Sequence, residues 1–130
     1  MSMDVAFRVD AAGLIGTGHF MRCLTLAEAL QRRGARVRFV SRDLPAHLQG
    51  MLAERAVACV PLHDKDNSAP EVTDELAHAH WLGTSQAHDA RCSAQALADK
   101  TWDWLIVDHY ALDQRWEAAM RGVAHRIMAI

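Results

Sequence analysis

Short β-type runs alternate with amphipathic helical stretches along the chain, and that order restricts the fold more than any other feature of the sequence. Val5, Phe7 and Val9 alternate with Ala6 and Arg8, which predicts a first strand ending near Asp10. The loop AAGLIGTG follows. From Phe20 the apolar positions Phe20, Cys23, Leu24, Ala27 and Leu30 keep a helical period, Glu28 faces Arg32 at i,i+4, and Gly34 is placed to stop the helix. ARVRFVSR then reads as a second strand, PAHLQGMLAERA as a helix opened by Pro45, and VACVPL as a third strand. HDKDNSAP is the clearest loop. PEVTDELAHAHWLG is open between helix and irregular structure, whereas SQAHDARCSAQALADK reads as a helix. In WDWLIVDH, Leu105, Ile106 and Val107 form the continuous apolar run of a parallel strand covered on both faces. DQRWEAAMRGV reads as a last helix and HRIMAI as a last strand.

Strands that alternate with helices predict an α/β fold: a Rossmann-like, mainly parallel sheet with helices on both faces. In such folds ligands bind outside the carboxyl ends of the strands. Two polar clusters fall there, DAAGLIGTGH after the first strand and DHY, Asp108 to Tyr110, after the WLIV run. They are expected to share one rim.

At 130 residues the chain is the size of one domain. Net charge is −2 and the 14 basic residues are dispersed, so no nucleic-acid or membrane partner is expected, and a phosphorylated ligand must be held by local geometry. The three cysteines, Cys23, Cys59 and Cys92, are far apart and form no CxxC pair, which points to a reducing cytoplasm rather than a disulfide framework or zinc site. Neither an export leader nor a bilayer-spanning run is read.

GTGHFM begins like the dinucleotide fingerprint GxGxxG, but Met21 occupies the third glycine position, where it is expected to hinder close packing of helix on strand. No Walker sequence follows. What remains is His19 at the start of a helix, where free N–H groups and the macrodipole disfavour imidazolium. A neutral imidazole there can act as a general base, with Asp10 as counter-charge once the proton is taken; the alternative is a polar residue that merely caps the loop. Arg22, one turn on, can hold an anion or simply be an exposed helical arginine. His78 and His80 lack a third ligand at a convincing spacing, so no metal is expected. Trp102, Trp104 and Trp116 read as core.

The run RVDAAGLIGTGHFMRCLTLAEAL resembles the start of the nucleotide-sugar hydrolases of pseudaminic acid biosynthesis, which act on UDP-2,4-diacetamido-2,4,6-trideoxy-β-L-altropyranose, and of related spore-coat polysaccharide proteins. FVSRDLPAHL, WLGTSQAHDA, WLIVDHYALDQRWE and RIMAI are similar to that family's later landmarks, in the same order. Ala12 stands where the family often has serine.

The resemblance implies a glycosyltransferase-B-like architecture of two Rossmann-like domains with the sugar nucleotide between them, working without metal or other cofactor. Residues 1–130 would be its N-terminal domain, with a C-terminal domain that holds most of the UDP expected beyond Ile130. It implies inverting hydrolysis at the anomeric carbon. The family's loop histidine falls on His19 as base for water and the tyrosine of its DHY motif on Tyr110; Asp10, Gly16, Gly18, Arg22, Asp108 and His109 match surrounding substrate-binding motif positions. Two other readings stay open: a nucleotide-cofactor domain of an oxidoreductase, and a non-catalytic sugar-binding module.

Overall fold

A computed structural model describes residues 2–11, 17–42, 44–62 and 84–130. Nine elements follow one another in these residues: β1 (Asp4–Val9), α1 (Gly18–Arg32), β2 (Arg36–Ser41), α2 (Ala46–Glu54), β3 (Ala58–Pro61), α3 (Gln86–Ala96), β4 (Trp102–Asp108), α4 (Gln114–Ala119) and β5 (Ala124–Ala129). Each matches a stretch read from the sequence. HDKDNSAP lies outside the described residues, and so does PEVTDELAHAHWLG with His78 and His80.

The five strands form one parallel sheet in the order β3-β2-β1-β4-β5, so β1 is central and pairs with both β2 and β4. Alternation along β1 sorts its side chains between two cores. Val5, Phe7 and Val9 meet Phe20, Cys23, Leu24 and Ala27 of α1 and Leu48 and Leu52 of α2. Ala6, Leu105 and Val107 meet Ala90 of α3 and Trp116 of α4 on the opposite face. Helices therefore cover both faces, in a Rossmann-like α/β fold.

Aromatic packing seats α1. Phe7 and Phe39 stack at 5.0 Å between centroids, and Phe20 meets Phe39 edge-on at 5.8 Å. Burial of a side chain like Phe20 stabilises by about 1.5–3 kcal/mol. Met21 turns outward and is exposed, so it does not stand between helix and strand as its place in the fingerprint suggested. Gly34 closes the helix with a φ of 90°, a left-handed conformation that glycine adopts at least cost. Glu28 pairs with Arg55 at the end of α2, not along its own helix. Trp102 and Trp116 are buried as expected, while Trp104 is half-buried under the Arg126 guanidinium.

Strand order sets where a ligand can enter. From β1 the chain passes through α1 to β2 on one side, whereas β4 lies on the other side of β1. Connections diverge at the carboxyl ends of β1 and β4, the switch point at which open α/β sheets leave a crevice.

Candidate functional site

β4 ends on Asp108 and α1 begins on Gly18, so the switch point brings the two predicted clusters together. Thr17 caps α1 without a side-chain bond. His19 is the second residue of the helix. Its Nδ1 lies 2.5 Å from Oδ1 of Asp108. Arg22, three residues along and on the same helical face, donates from Nε at 3.2 Å and from Nη2 at 2.8 Å to Oδ2. The Cys23 thiol reaches the same oxygen at 3.6 Å. Burial, then the charge of Asp108, pushes this thiol well above its ordinary pKa, so it serves as an S–H donor.

These contacts fix the histidine tautomer. The carboxylate and the guanidinium both approach Nδ1, the latter at 3.2 Å through Nη2. A lone pair on Nδ1 would face the carboxylate oxygen at 2.5 Å, which is repulsive; an N–H there donates to it. Nδ1 therefore carries a proton, Arg22 and His19 are two donors that converge on Asp108, and in the neutral ring the lone pair sits on Nε2. A carboxylate offers about four lone-pair sites. His19 bonds Oδ1, and Arg22 and Cys23 together bond Oδ2, which locks the buried Asp108 and, through it, the imidazole plane. The His19 side chain retains 19% of its exposure. Tyr110 meets its ring edge-on, 4.7 Å between centroids and 88° between planes, and is 53% exposed.

Asp10 and His109 belong to a second cluster, beneath the rim on the α3 face. The Asp10 carboxylate accepts from Arg8 Nη1 at 2.6 Å and Nη2 at 3.2 Å, and from the Arg42 N–H at 2.7 Å. It also faces Nε2 of His109 at 3.0 Å. The carboxylate opposite His19 is thus Asp108 and not Asp10. Arg8 and Arg42 both reach Asp89 of α3, at 2.6 and 3.1 Å, and Asp89 also accepts from Ser93 Oγ at 3.2 Å and Trp116 Nε1 at 2.9 Å. Burial works against the charge on Asp10, but Arg8 and His109 outweigh it and hold that carboxyl far below the usual range. Asp89 is lowered in the same way against its burial, by Arg8 and Arg42.

Gly18 opens α1, and a Cβ there would meet nothing within 4 Å. Gly16 lies outside the described residues. Among the described residues, no three His, Cys, Asp or Glu side chains converge as metal ligands, and no helix is long and apolar enough to cross a membrane. Sequence reading missed Arg8, Arg42, Asp89 and Cys23. The available signal was Arg8, a charge inside the apolar run from Val5 to Val9 of the central strand, which is almost never buried unpaired.

Solved structures share this fold. A glycosyltransferase from Rickettsia africae superposes with a TM-score of 0.62 at 12% identity, over 98% of this chain and 29% of its own. The glycotransferase of kitacinnamycin gives 0.62 at 20% identity, over 99% and 31%. The C-terminal domain of a hydrogenase from Pyrococcus furiosus gives 0.60 at 12% identity, over 98% and 91%. The chain thus spans about a third of the length of the two transferases. No family model and no curated protein matches the sequence. At these identities the likeness establishes the Rossmann-like α/β fold.

Proposed function

We propose that this chain is the base-carrying, N-terminal half of a glycosyltransferase-B-like enzyme: a cytoplasmic, metal-independent, inverting hydrolase that releases UDP from UDP-2,4-diacetamido-2,4,6-trideoxy-β-L-altropyranose. The observation that carries this reading is the Asp108–His19 pair at the switch point, which leaves Nε2 as the basic atom of a partly exposed ring. Two fold neighbours are glycosyltransferases, and hydrolysis of a nucleotide sugar is the same transfer with water as acceptor. The sequence motifs around His19 and Tyr110 supply the substrate class.

In the reaction, a water oxygen attacks the anomeric carbon on the face opposite UDP while Nε2 of His19 takes its proton. The carbon–oxygen bond to the diphosphate breaks, and its electron pair leaves with UDP. Asp108 faces the resulting imidazolium. UDP is already a good leaving group, so the protein's share is to position water and stabilise an oxocarbenium-like transition state. Arg22 holds Asp108 through its second carboxylate oxygen, Tyr110 stands against the reacting ring, and Gly18 keeps a side chain out of the approach. Donors for the departing diphosphate are assigned to a second domain. The 130 residues alone then fold but release UDP far more slowly than the natural protein.

The test is to follow the natural-length protein and its substrate by proton NMR. UDP appears, the first-formed sugar has the opposite anomeric configuration, and a chelator leaves the rate unchanged. Retained configuration, or no UDP, overturns the reading. A second reading, a nucleotide-cofactor domain of an oxidoreductase, draws on the likeness to the hydrogenase domain and on the outward-facing Met21, which removes one steric objection. Stabilisation by NAD(P) against heat, without stabilisation by UDP-sugar, would favour it.

A further inference from the structure

Asp108, His109 and Tyr110 leave β4 in succession, and their side chains go to three different places. Asp108 turns to His19, Tyr110 lies exposed against the same ring, and His109 points down into the sealed cluster, its side chain 1% exposed. The His109 ring has both nitrogens engaged. Nδ1 accepts the N–H of Ala111 at 3.0 Å, which requires a lone pair there. Nε2 then carries the proton and donates to Asp10 at 3.0 Å. The His109 carbonyl also accepts the N–H of Leu112 at 3.2 Å.

We infer that His109 is a positioning residue: it fixes the turn that sets Tyr110 against His19. The backbone that carries Tyr110 is closed into a turn by His109, whose ring accepts the N–H of Ala111 and whose carbonyl accepts that of Leu112. The far end of the clamp is equally fixed, because Asp10 is bound by Arg8 from its own strand and by the Arg42 N–H at the end of β2. The turn is thereby referenced to two strands. His109 and Asp10 thus act through Tyr110 and do not touch substrate. The catalytic value of this placement rests on the proposed hydrolase reading; the placement itself does not.

The first test needs no variant. In histidine-labelled protein at neutral pH, long-range proton–nitrogen correlations should give His109 as the neutral Nε2–H tautomer; an N–H on Nδ1 overturns the clamp. The second follows the His19 ring protons, which feel the ring current of the protein's single tyrosine, with Tyr110→Leu as reference. His109→Leu loses both bonds and should move the His19 signals to the reference values. His109→Asn keeps an acceptor for Ala111, His109→Gln keeps a donor to Asp10, and each should move them part of the way. Folded variants with unchanged His19 signals refute the inference. If none of the three folds, His109 is a core residue and the positioning role is rejected. In the natural enzyme, His109→Gln should lower kcat by about 10–100-fold at constant KM, the cost of a small misplacement. If that enzyme hydrolyses no nucleotide sugar, the hydrolase reading fails while the NMR result still decides the clamp.

Discussion

Two charge-dense clusters share the carboxyl end of one sheet, one on each face, and they solve opposite problems. Beneath the rim, Arg8, Arg42, Asp10 and Asp89 bring two positive and two negative groups together in nearly complete burial, with His109, Ser93 and Trp116 filling remaining bonds. At the rim, Asp108 is just as buried and is bonded through both oxygens, yet His19 and Arg22 stay partly open, and Nε2 of His19 is left outside the contacts to Asp108. Charge density alone therefore does not mark a site. The difference lies in whether one atom is left able to react.

Changes at the two clusters should separate accordingly. His19→Asn removes the basic Nε2 while leaving an amide near the position of Nδ1 to face Asp108. On the hydrolase reading proposed above, it should lower the kcat of the natural-length protein by about 10²–10⁴, the usual worth of a positioned base, with KM little changed. Denaturant unfolding of the variant should stay within about 1 kcal/mol of the parent, as expected for a partly exposed side chain. A near-normal kcat, or a large loss of stability, would make His19 a structural residue like its counterparts beneath the rim.

Asp89→Ala should do the reverse. It removes the carboxylate that the buried guanidiniums of Arg8 and Arg42 share, while Asp10 stays paired with Arg8. Removal of one partner from a buried ionic network costs about 3–5 kcal/mol, against a few tenths for most surface changes. Urea unfolding measures it directly. A loss below about 1 kcal/mol would mean that water enters the cluster and that its seal is incomplete.

The sequence made one cluster legible and hid the other, for a physical reason. Strand order and the rule of carboxyl-end binding were enough to put GTGH and DHY on one rim, because both motifs sit at element ends whose places the topology fixes. Helix boundaries came from local signals such as Gly34 and the apolar period of α1. The pairing of His19 with Asp108 in place of Asp10 was not legible, since Asp10 is nearer along the chain and alternation alone does not say which way a residue just past the strand end turns. Arg8 was visible as a charge in the apolar run from Val5 to Val9. Its partner Asp89 stands 81 residues away on a helix that reads as ordinarily amphipathic, and only the docking of α3 on β1 joins them.

Acid should sharpen the contrast further. Asp10 and Asp89 both stay ionised in the fold at a pH where they would be protonated in the unfolded chain. Unfolding therefore takes up protons below about pH 4, the ordinary aspartate range. Their contribution is complete above that pH and is lost as the pH falls toward their folded values. Asp99, held at about 2 by its bonds to Arg38, is exposed and adds little. Stability from urea titrations between pH 5 and pH 3 should fall steeply in the parent and less steeply in Asp89→Ala. Equal slopes would assign acid sensitivity to surface carboxylates instead.

The smallest effect gives the closest comparison, because each of two helices carries a hydroxyl bonded four residues back. On α3, Ser93 Oγ donates to the Asp89 side chain at 3.2 Å inside the sealed cluster; on α1, Thr25 Oγ1 donates to the Met21 carbonyl at 2.9 Å in solvent. Distance alone would rank the second bond stronger. Solvent reverses the order: water replaces Thr25 at no loss, whereas a buried carboxylate that loses a donor has no water to turn to. Ser93→Ala should cost about 1 kcal/mol and remain modest, since Arg8, Arg42 and Trp116 still bind Asp89. Thr25→Ala should fall within about 0.5 kcal/mol of zero, because an exposed threonine is also a poorer helix former than alanine. Chemical unfolding of the two variants side by side measures the difference, and equal losses would show that the interior of the α3 face is as wet as the rim.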